Sequence, residues 1–344
     1  MTETPTTTPE EEKIRQDPDV KPREGETPFT DIGTPSEHAS EVVAEREPAS
    51  SGDPDPAPSH EGVNRVLIFL NEVAGGRKLV TACRELADKG ASYFAVVAPQ
   101  NQPAVGQLVA TPEETHEAAQ SRVDVTQAVL LEFGIESESA VMDPDPFLAI
   151  GDAVRATSPD IVLLSALYES RYGLRRRDLV EWAKDNLGTR VEHIPVRVDD
   201  DAVKWGLTHT LVVATQTVNS PDLLARLKER AKSGPHRYTF ISPRSGAISR
   251  EEVCASLAAT LAELYREEID ATGAPLSPEP LPAIKNALEH YRVDDILIST
   301  LKGEKSKWVE DGLIEKVKSL TDKPVEHLEA SPSPKRRSKA GAAA

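Results

Sequence analysis

An internal duplication constrains the fold of this chain more than any other feature. The stretches "RVEHIPV" (190–196) and "PVEHLEA" (324–330) lie 134 positions apart and share the letters Val-Glu-His. The residues before them align without gaps at the same offset, pairing Asp160 with Asp294 and Ser165 with Ser299. Earlier parts align at an offset of 144, as in "RVLIFLNEV" and "HTLVVATQT". The chain therefore contains two copies of one unit, and the ten-residue difference is expected after the second strand or in the long helix.

Each copy alternates apolar strand patterns with amphipathic helix patterns. Runs such as "VNRVLIFL" and "THTLVVAT" are typical of strands covered on both faces of a parallel sheet. In copy one we predict strands at 66–70, 92–98, 136–141, 161–165 and 190–194, and helices at 77–88, 112–133, 146–156 and 174–186. Copy two repeats this order from 210 onward. The alternation predicts an α/β fold with two tandem, doubly wound, five-stranded parallel-sheet domains of the Rossmann-like type.

Composition divides the 344 residues into two domains and two tails. Residues 1–62 are acidic (net −11) and rich in Pro and Thr, which predicts disorder, whereas the tail 331–344 is basic (net +4) and is also predicted to be disordered. Domain one is expected at 63–200 and domain two at 205–330, and together they hold the remaining charge of −10. Such an acidic surface repels phosphate backbones, so we expect no nucleic-acid partner.

Other sequence signals narrow the class of protein further. The sequence shows neither an apolar run of transmembrane length nor a signal-peptide pattern, so we expect a cytoplasmic protein with no membrane association. Cys83 and Cys254 stand at non-equivalent places in the duplication and lack ligand spacing, which favours buried hydrophobic roles and no metal site. His193 and His327, at equivalent places on the last strands, are interpreted as structural histidines.

The helix entry, the fourth strand and the polar loop after it carry a family resemblance. "DPDPFLAIGDAV" followed by "DIVLLSA", and "SPEPLPAIKNAL" followed by "DILISTL", resemble the universal stress protein family in a tandem arrangement, roughly over residues 63–330. That resemblance implies five-stranded α/β domains, dimerisation through the last strand and, in many members, ATP held without obvious catalysis. It implies that the two copies pair within one chain as a pseudo-dimer through their final strands, near 191–194 and 325–328, with a homodimer as a further option.

The phosphate-binding pattern of that family is degenerate in both copies. Its ATP-binding members carry an Asp after the first strand and a Gly-x2-Gly-x9-Gly-Ser/Thr loop after the fourth. Here Asn71 and Thr215 stand in place of the Asp, and copy two keeps only Gly303 and Gly312, with Leu313 after the latter. The candidate nucleotide- or anion-binding residues are Ser299, Thr300, Gly303, Lys305, Ser306, Thr215 and Gln216 in copy two, and Asn71, Ser165 and Arg171 in copy one. A solvated loop is the favoured explanation of both sets; if a ligand binds, copy two is preferred, because bulky Tyr168 and Tyr172 flank the loop of copy one.

Three functional hypotheses follow. The first is a non-enzymatic, stress-related regulatory protein that senses an adenine nucleotide such as ATP or another small ligand. The second is a structural interaction module that has lost nucleotide binding and recruits a regulatory protein partner. The third is a nucleotidyl-transferase-like enzyme, which the missing His-x-Gly-His signature disfavours.

Overall fold

The first half of the fold alternates strands and helices as the sequence predicts. The computed structural model describes residues 62–71, 74–101, 111–167, 171–172, 177–196, 206–243, 248–276, 279–303 and 307–334. The elements of the first half are β1 (Arg65–Leu70), α1 (Arg77–Asp88), β2 (Tyr93–Pro99), α2 (Pro112–Glu132), β3 (Glu138–Met142), α3 (Pro146–Thr157), β4 (Ile161–Leu167), β5 (Arg171–Tyr172), β6 (Arg177–Asp178), α4 (Leu179–Asn186) and β7 (Arg190–Val196).

The second half repeats the same order. Its elements are β8 (Thr208–Val213), α5 (Pro221–Ala231), β9 (His236–Pro243), α6 (Arg250–Arg266), β10 (Asp270–Leu276), α7 (Pro280–His290), β11 (Asp295–Leu301), α8 (Lys307–Glu310), α9 (Leu313–Leu320) and β12 (Val325–Ala330). The ten-residue offset lies where it was expected. Twelve positions (100–111) precede α2 and six (244–249) precede α6, while α2 has 21 residues and α6 has 17. The predicted tails, 1–62 and 331–344, lie outside the described residues except for Gly62 and 331–334.

The described residues form two five-stranded parallel sheets of equivalent topology. Their strand orders are β3-β2-β1-β4-β7 and β10-β9-β8-β11-β12. In the first sheet Leu67 of β1 lies opposite Ala95 of β2 on one side and Val162 of β4 on the other. The winding direction reverses between β1 and β4, and between β8 and β11. The α/β, Rossmann-like fold class is confirmed.

Asp160 and Asp294, paired by the duplication, fasten the amino-terminal edge of each sheet. The Asp160 carboxylate accepts hydrogen bonds from the backbone N–H groups of Asn64 and Arg65 at 2.8 and 2.9 Å. These bonds hold the pKa of Asp160 below its ordinary value. Asp294 accepts the equivalent bond from the N–H of His209 at 2.8 Å. This part of the duplication is therefore structural.

Helix α4 begins later than the sequence pattern predicts. The predicted helix 174–186 starts at Leu179, and the preceding residues include a short antiparallel ladder that pairs Arg171 with Asp178. The cause is Asp178, whose side chain accepts hydrogen bonds from the N–H groups of Val180 and Glu181 at 2.8 and 3.1 Å. This N-cap fixes the first turn and excludes the earlier start.

Packing between the two halves differs from the predicted pairing of final strands. Strands β7 and β12 belong to separate sheets, so the prediction that they join the halves as one sheet is wrong. Instead α2 packs against α6, and apolar residues of both halves share one buried core. Members of this shared core include Ile68, Val96, Val123, Val129, Val212, Phe240, Leu257 and Leu261. Helix-on-helix packing buries far more apolar surface than a strand edge presents, which explains the outcome.

Ion pairs and a cation–π contact also link the two halves. Arg250 of α6 pairs with Asp124 of α2 at 2.8 Å, and Arg77 at the start of α1 pairs with Asp270 of β10 at 2.6 Å. Arg266 lies over the ring of Phe133, 5.1 Å from its centroid. In the described ranges no helix combines the length and apolar character that a membrane span requires.

Candidate functional site

In doubly wound sheets, ligands bind at the carboxyl ends of the strands where the winding direction reverses. In copy two this edge lies between β8 and β11, and in copy one between β1 and β4. The residues that follow β8 and β11, and those that follow β1 and β4, therefore form the candidate sites.

A row of small side chains ends the second sheet on the face turned toward the shared core. Successive strand residues point to opposite faces, so Ser242 shares a face with Phe240, and Ser299 shares a face with Leu297. Ala214 lies between them, one residue beyond β8, and its N–H continues the ladder to Ile241 O at 3.1 Å. We call Ser242, Ala214 and Ser299 the serine row; its two hydroxyls lie two strand spacings apart, roughly 10 Å.

Both hydroxyls of the serine row are buried without a protein partner. Ser242 and Ser299 are 0% and 1% exposed, and neither Oγ has a hydrogen-bond partner among the described residues. Leaving a buried hydroxyl unpaired costs about 1–3 kcal/mol, so native proteins rarely tolerate it without a water, an ion or a ligand. Two such groups lie on one face of the copy-two sheet edge.

Copy one carries a bulkier and less polar version of this row. The equivalent residues are Ala98, Leu70 and Ser165, all fully buried. Only Ser165 has a hydroxyl, and its Oγ also lacks a partner in the described part of the chain. Leu70 is bulkier than Ala214, so the copy-two row has a smaller central side chain and one more hydroxyl.

The loop after β8 is fastened to both neighbouring strands. Thr215 Oγ1 donates to Pro243 O at 2.6 Å, and Thr217 Oγ1 donates to Ser299 O at 3.1 Å. The sequence suggests Thr215 as a ligand contact. In the structure its hydroxyl instead forms the hydrogen bond to Pro243 O that holds the loop in place. Gln216 contributes its backbone carbonyl to a contact with Ser333 N at 2.8 Å.

Thr300 faces away from the serine row and fastens β11 to β12. Its Oγ1 lies 2.8 Å from Nε2 of His327. In copy one the equivalent His193 places Nε2 at 3.3 Å from the carbonyl of Ala166. The repeated Val-Glu-His thus supplies, in both copies, a histidine that links the last strand to the fourth, as the structural interpretation expected.

The loop after β11 is open where it is described. Gly303 has a positive φ of 72°, and a Cβ at this position would meet nothing within 4 Å. Gly312, with φ of 68°, is the N-cap of α9 and supplies no side-chain hydrogen bond to the first turn. Lys305 and Ser306 lie outside the described residues, as does the side chain of Arg171, whose backbone lies in β5. Of the residues suggested by the sequence, Ser299 belongs to the serine row, and Thr215 and Thr300 form hydrogen bonds that hold the loop and strands together. Gly303 lies in the exposed loop after β11.

In copy one a buried polar chain fills the corresponding edge. Asn71 is fully buried; its N–H donates to Ser165 O at 2.9 Å, and its Oδ1 accepts from Asn101 Nδ2 at 3.1 Å. Arg122 of α2, 3% exposed, donates through Nη2 to Asn101 Oδ1 and Pro99 O, both at 2.8 Å. Sequence reasoning missed Asn101, Arg122 and Ser242. The available signals were an arginine inside the apolar pattern "SRVDVTQAVLL" and a serine ending the apolar strand "YTFIS".

His193 is a titratable side chain close to the copy-one edge. Burial lowers the pKa of His193, and the hydrogen bond to the carbonyl of Ala166 opposes that shift only in part. Within the described ranges, no group of three or more His, Cys, Asp or Glu side chains is arranged to hold a metal ion.

Comparisons with known proteins give weak similarities. No protein-family model matches the chain, and no curated protein matches it significantly. A universal stress protein from Archaeoglobus fulgidus DSM 4304 aligns over 77% of this chain and 96% of its own, with 15% identity and a TM-score of 0.28. Histidinol dehydrogenase from Elizabethkingia anophelis aligns over 79% of this chain and 55% of its own, with 12% identity and a TM-score of 0.23. Hexameric APS kinase from Thiobacillus denitrificans aligns over 72% and 62%, with 10% identity and a TM-score of 0.24. Similarity at this level identifies neither a family nor an activity.

Proposed function

We propose that this chain is a non-enzymatic regulatory protein of the universal stress type that senses a phosphate-bearing adenine nucleotide at the copy-two edge. The observation that carries the proposal is the serine row. Ser242 and Ser299 present two buried hydroxyls with no protein partner in the described part of the chain, at the sheet edge where the winding direction reverses.

The chemistry of the row suits a polar ligand with several acceptor atoms. A serine hydroxyl both donates and accepts, so it pairs with phosphate oxygens, ribose hydroxyls or ring nitrogens alike. Gly303 leaves the backbone after β11 open to close approach, and Gly312, the N-cap of α9, provides no side-chain hydrogen bond to the first amides of that helix. Anions bind at such helix starts because the unpaired N–H groups and the helix dipole favour negative charge.

The polar side chains at this edge form structural hydrogen bonds, which supports a sensing role over catalysis. Thr215, Thr217 and Thr300 hold the loop and the strands together through their hydroxyls. The Thr300 and His327 pair resembles a nucleophile beside a base, but it lies on the sheet face opposite Ser299. Binding that orders this edge without chemistry is the function that the arrangement supports best.

Thermal unfolding with a panel of ligands tests the proposal. ATP, ADP, AMP, cyclic AMP and inorganic phosphate are added to the full chain at increasing concentration. A ligand at 100 times its dissociation constant should stabilise the fold by about 2.7 kcal/mol. Flat melting curves for the whole panel would instead favour an interaction module without a nucleotide, and turnover of a nucleotide would favour an enzyme.

A further inference from the structure

The chain that follows β12 is tied to the loop that follows β8. Ser331 donates through its N–H and its Oγ to the same carboxylate oxygen of Asp222, at 2.8 and 2.6 Å. Ser333 donates its N–H to Gln216 O at 2.8 Å and accepts at Oγ from Asn219 N at 2.9 Å. We call residues 331–334 the strap. Four hydrogen bonds therefore hold the strap against the loop after β8 and the first turn of α5.

The sheet order requires this strap to pass the candidate site. Strand β11 lies between β8 and β12. A segment that leaves the end of β12 and contacts the loop after β8 must cross the carboxyl end of β11, where Ser299 is located. The end of β12 is itself fixed, because Lys302 N donates to Ala330 O at 2.9 Å.

The strap contacts are specific for its two serines. Asp222 is at the first turn of α5, where a carboxylate ordinarily stabilises the free N–H groups of the helix. Here it accepts two hydrogen bonds from Ser331, and these hold the pKa of Asp222 below its ordinary value, with a smaller effect from Lys302. Ser333 uses both its backbone N–H and its hydroxyl. The intervening Pro332 has no N–H of its own to satisfy.

We propose that the strap is a built-in gate of the copy-two edge and that strap docking and ligand binding exclude one another. This inference rests on the proposed function, because it assigns the regulation of that same site. While the strap is docked it blocks access to Ser299, so the apparent affinity equals the intrinsic affinity multiplied by the fraction of molecules with the strap released. Partners or modifications that release residues 331–334 then raise the affinity for the ligand.

Two strap variants separate the gate from effects on helix α5. Asp222→Ala removes the carboxylate that accepts from Ser331. Ser333→Pro removes the N–H and the hydroxyl of Ser333 without replacing any residue of α5. Ser319→Ala, an exposed serine of α9 whose Oγ donates to Lys316 O, is the matched control. We expect both strap variants to bind ATP about tenfold more tightly than the parent protein, equivalent to 1.4 kcal/mol, and the control to match the parent.

Hydrogen exchange on the full-length parent supplies the second readout. If the gate operates, saturating ATP speeds amide exchange at Ser331 and Ser333, because bound ligand displaces the strap. Equal affinity in the parent and both strap variants, with no change in exchange at these amides, would overturn the gate and leave the proposed function standing. Absence of binding in every variant would overturn the proposed function, and the gate with it.

Discussion

At the scale of single residues, the account depends on buried hydroxyls that the protein does not satisfy by itself. Ser299 and Ser165 are equivalent in the duplication, both are fully or almost fully buried, and neither Oγ has a partner among the described residues. We expect such a hydroxyl to serve a ligand in the copy whose neighbouring side chain is smaller. The neighbouring Ala214 and Leu70 decide which copy that is.

Ser299→Ala should therefore have opposite effects on stability and on binding. We expect the ligand-free variant to be more stable by about 1 kcal/mol, because an unpaired buried hydroxyl is removed. It should also lose most of the thermal shift with ATP. Urea unfolding with and without ATP measures both effects. Ser165→Ala is the control and should show the stability gain with an unchanged ATP shift, whereas a destabilised Ser299→Ala would show that the hydroxyl already has a partner.

His193 should make stability depend on pH. Burial lowers its pKa in the folded state, so at mildly acid pH the unfolded chain binds a proton that the folded chain does not. The stabilising contribution is complete above the unfolded pKa of about 6.5 and is lost as the pH falls toward the folded pKa. His193→Gln should flatten the free energy of unfolding between about pH 7 and 5. An equal slope in the parent and in His193→Gln would refute this role.

At the scale of elements, most strands and helices could be predicted, because the spacing of apolar residues along the sequence matches the side chains that are buried. The predicted strand 66–70 is observed as Arg65–Leu70 and the predicted helix 77–88 as Arg77–Asp88. Helix α4 was misplaced because the side-chain cap of Asp178 outweighed a helical pattern in "LRRRDL". The serine row was only half predicted: Ser299 was found through the polar loop, but Ser242 looks like an ordinary strand residue until the sheet aligns it with Ser299.

Gly273 sets the distance between β10, β9 and α6. A Cβ at this position would lie 2.6 Å from Phe240 Cβ and 3.0 Å from Phe240 O, with Leu257 Cδ1 at 3.3 Å. Because backbone and Cβ atoms cannot move aside cheaply, Gly273→Ala should destabilise the protein by about 1–3 kcal/mol. Gly76→Ala, whose Cβ would approach only Ala271 O at 3.9 Å, should change stability by less than about 0.5 kcal/mol. Chemical denaturation of both variants measures the difference, and equal effects would contradict the close approach at Gly273.

At the scale of the whole molecule, the duplication predicted two domains but not how they meet. Pairing of the final strands was inferred from a family resemblance, whereas apolar residues of α2 and α6 form a core common to both halves. The pattern of α2 carried too little information, because it does not tell which apolar residues face its own sheet and which face another helix. The described residues from Gly62 onward thus form one compact unit.

The halves should consequently depend on each other. Fragments 59–200 and 205–334, expressed separately, would each expose their share of the common core to water. We expect neither fragment to show a cooperative thermal transition alone, and an equimolar mixture to regain one. Circular dichroism melting and analytical ultracentrifugation of the fragments and of the mixture test this. Two fragments that each melt cooperatively as monomers would contradict a shared core.

Isothermal titration of the full-length protein with ATP tests the central claim most directly. The parent, Ser299→Ala and Ser165→Ala proteins are titrated under identical conditions. We expect one ATP per chain for the parent and for Ser165→Ala with the same dissociation constant, and binding at least tenfold weaker for Ser299→Ala, a difference of 1.4 kcal/mol or more. Equal dissociation constants for the parent and Ser299→Ala, or weakening confined to Ser165→Ala, would contradict a nucleotide site at the copy-two edge.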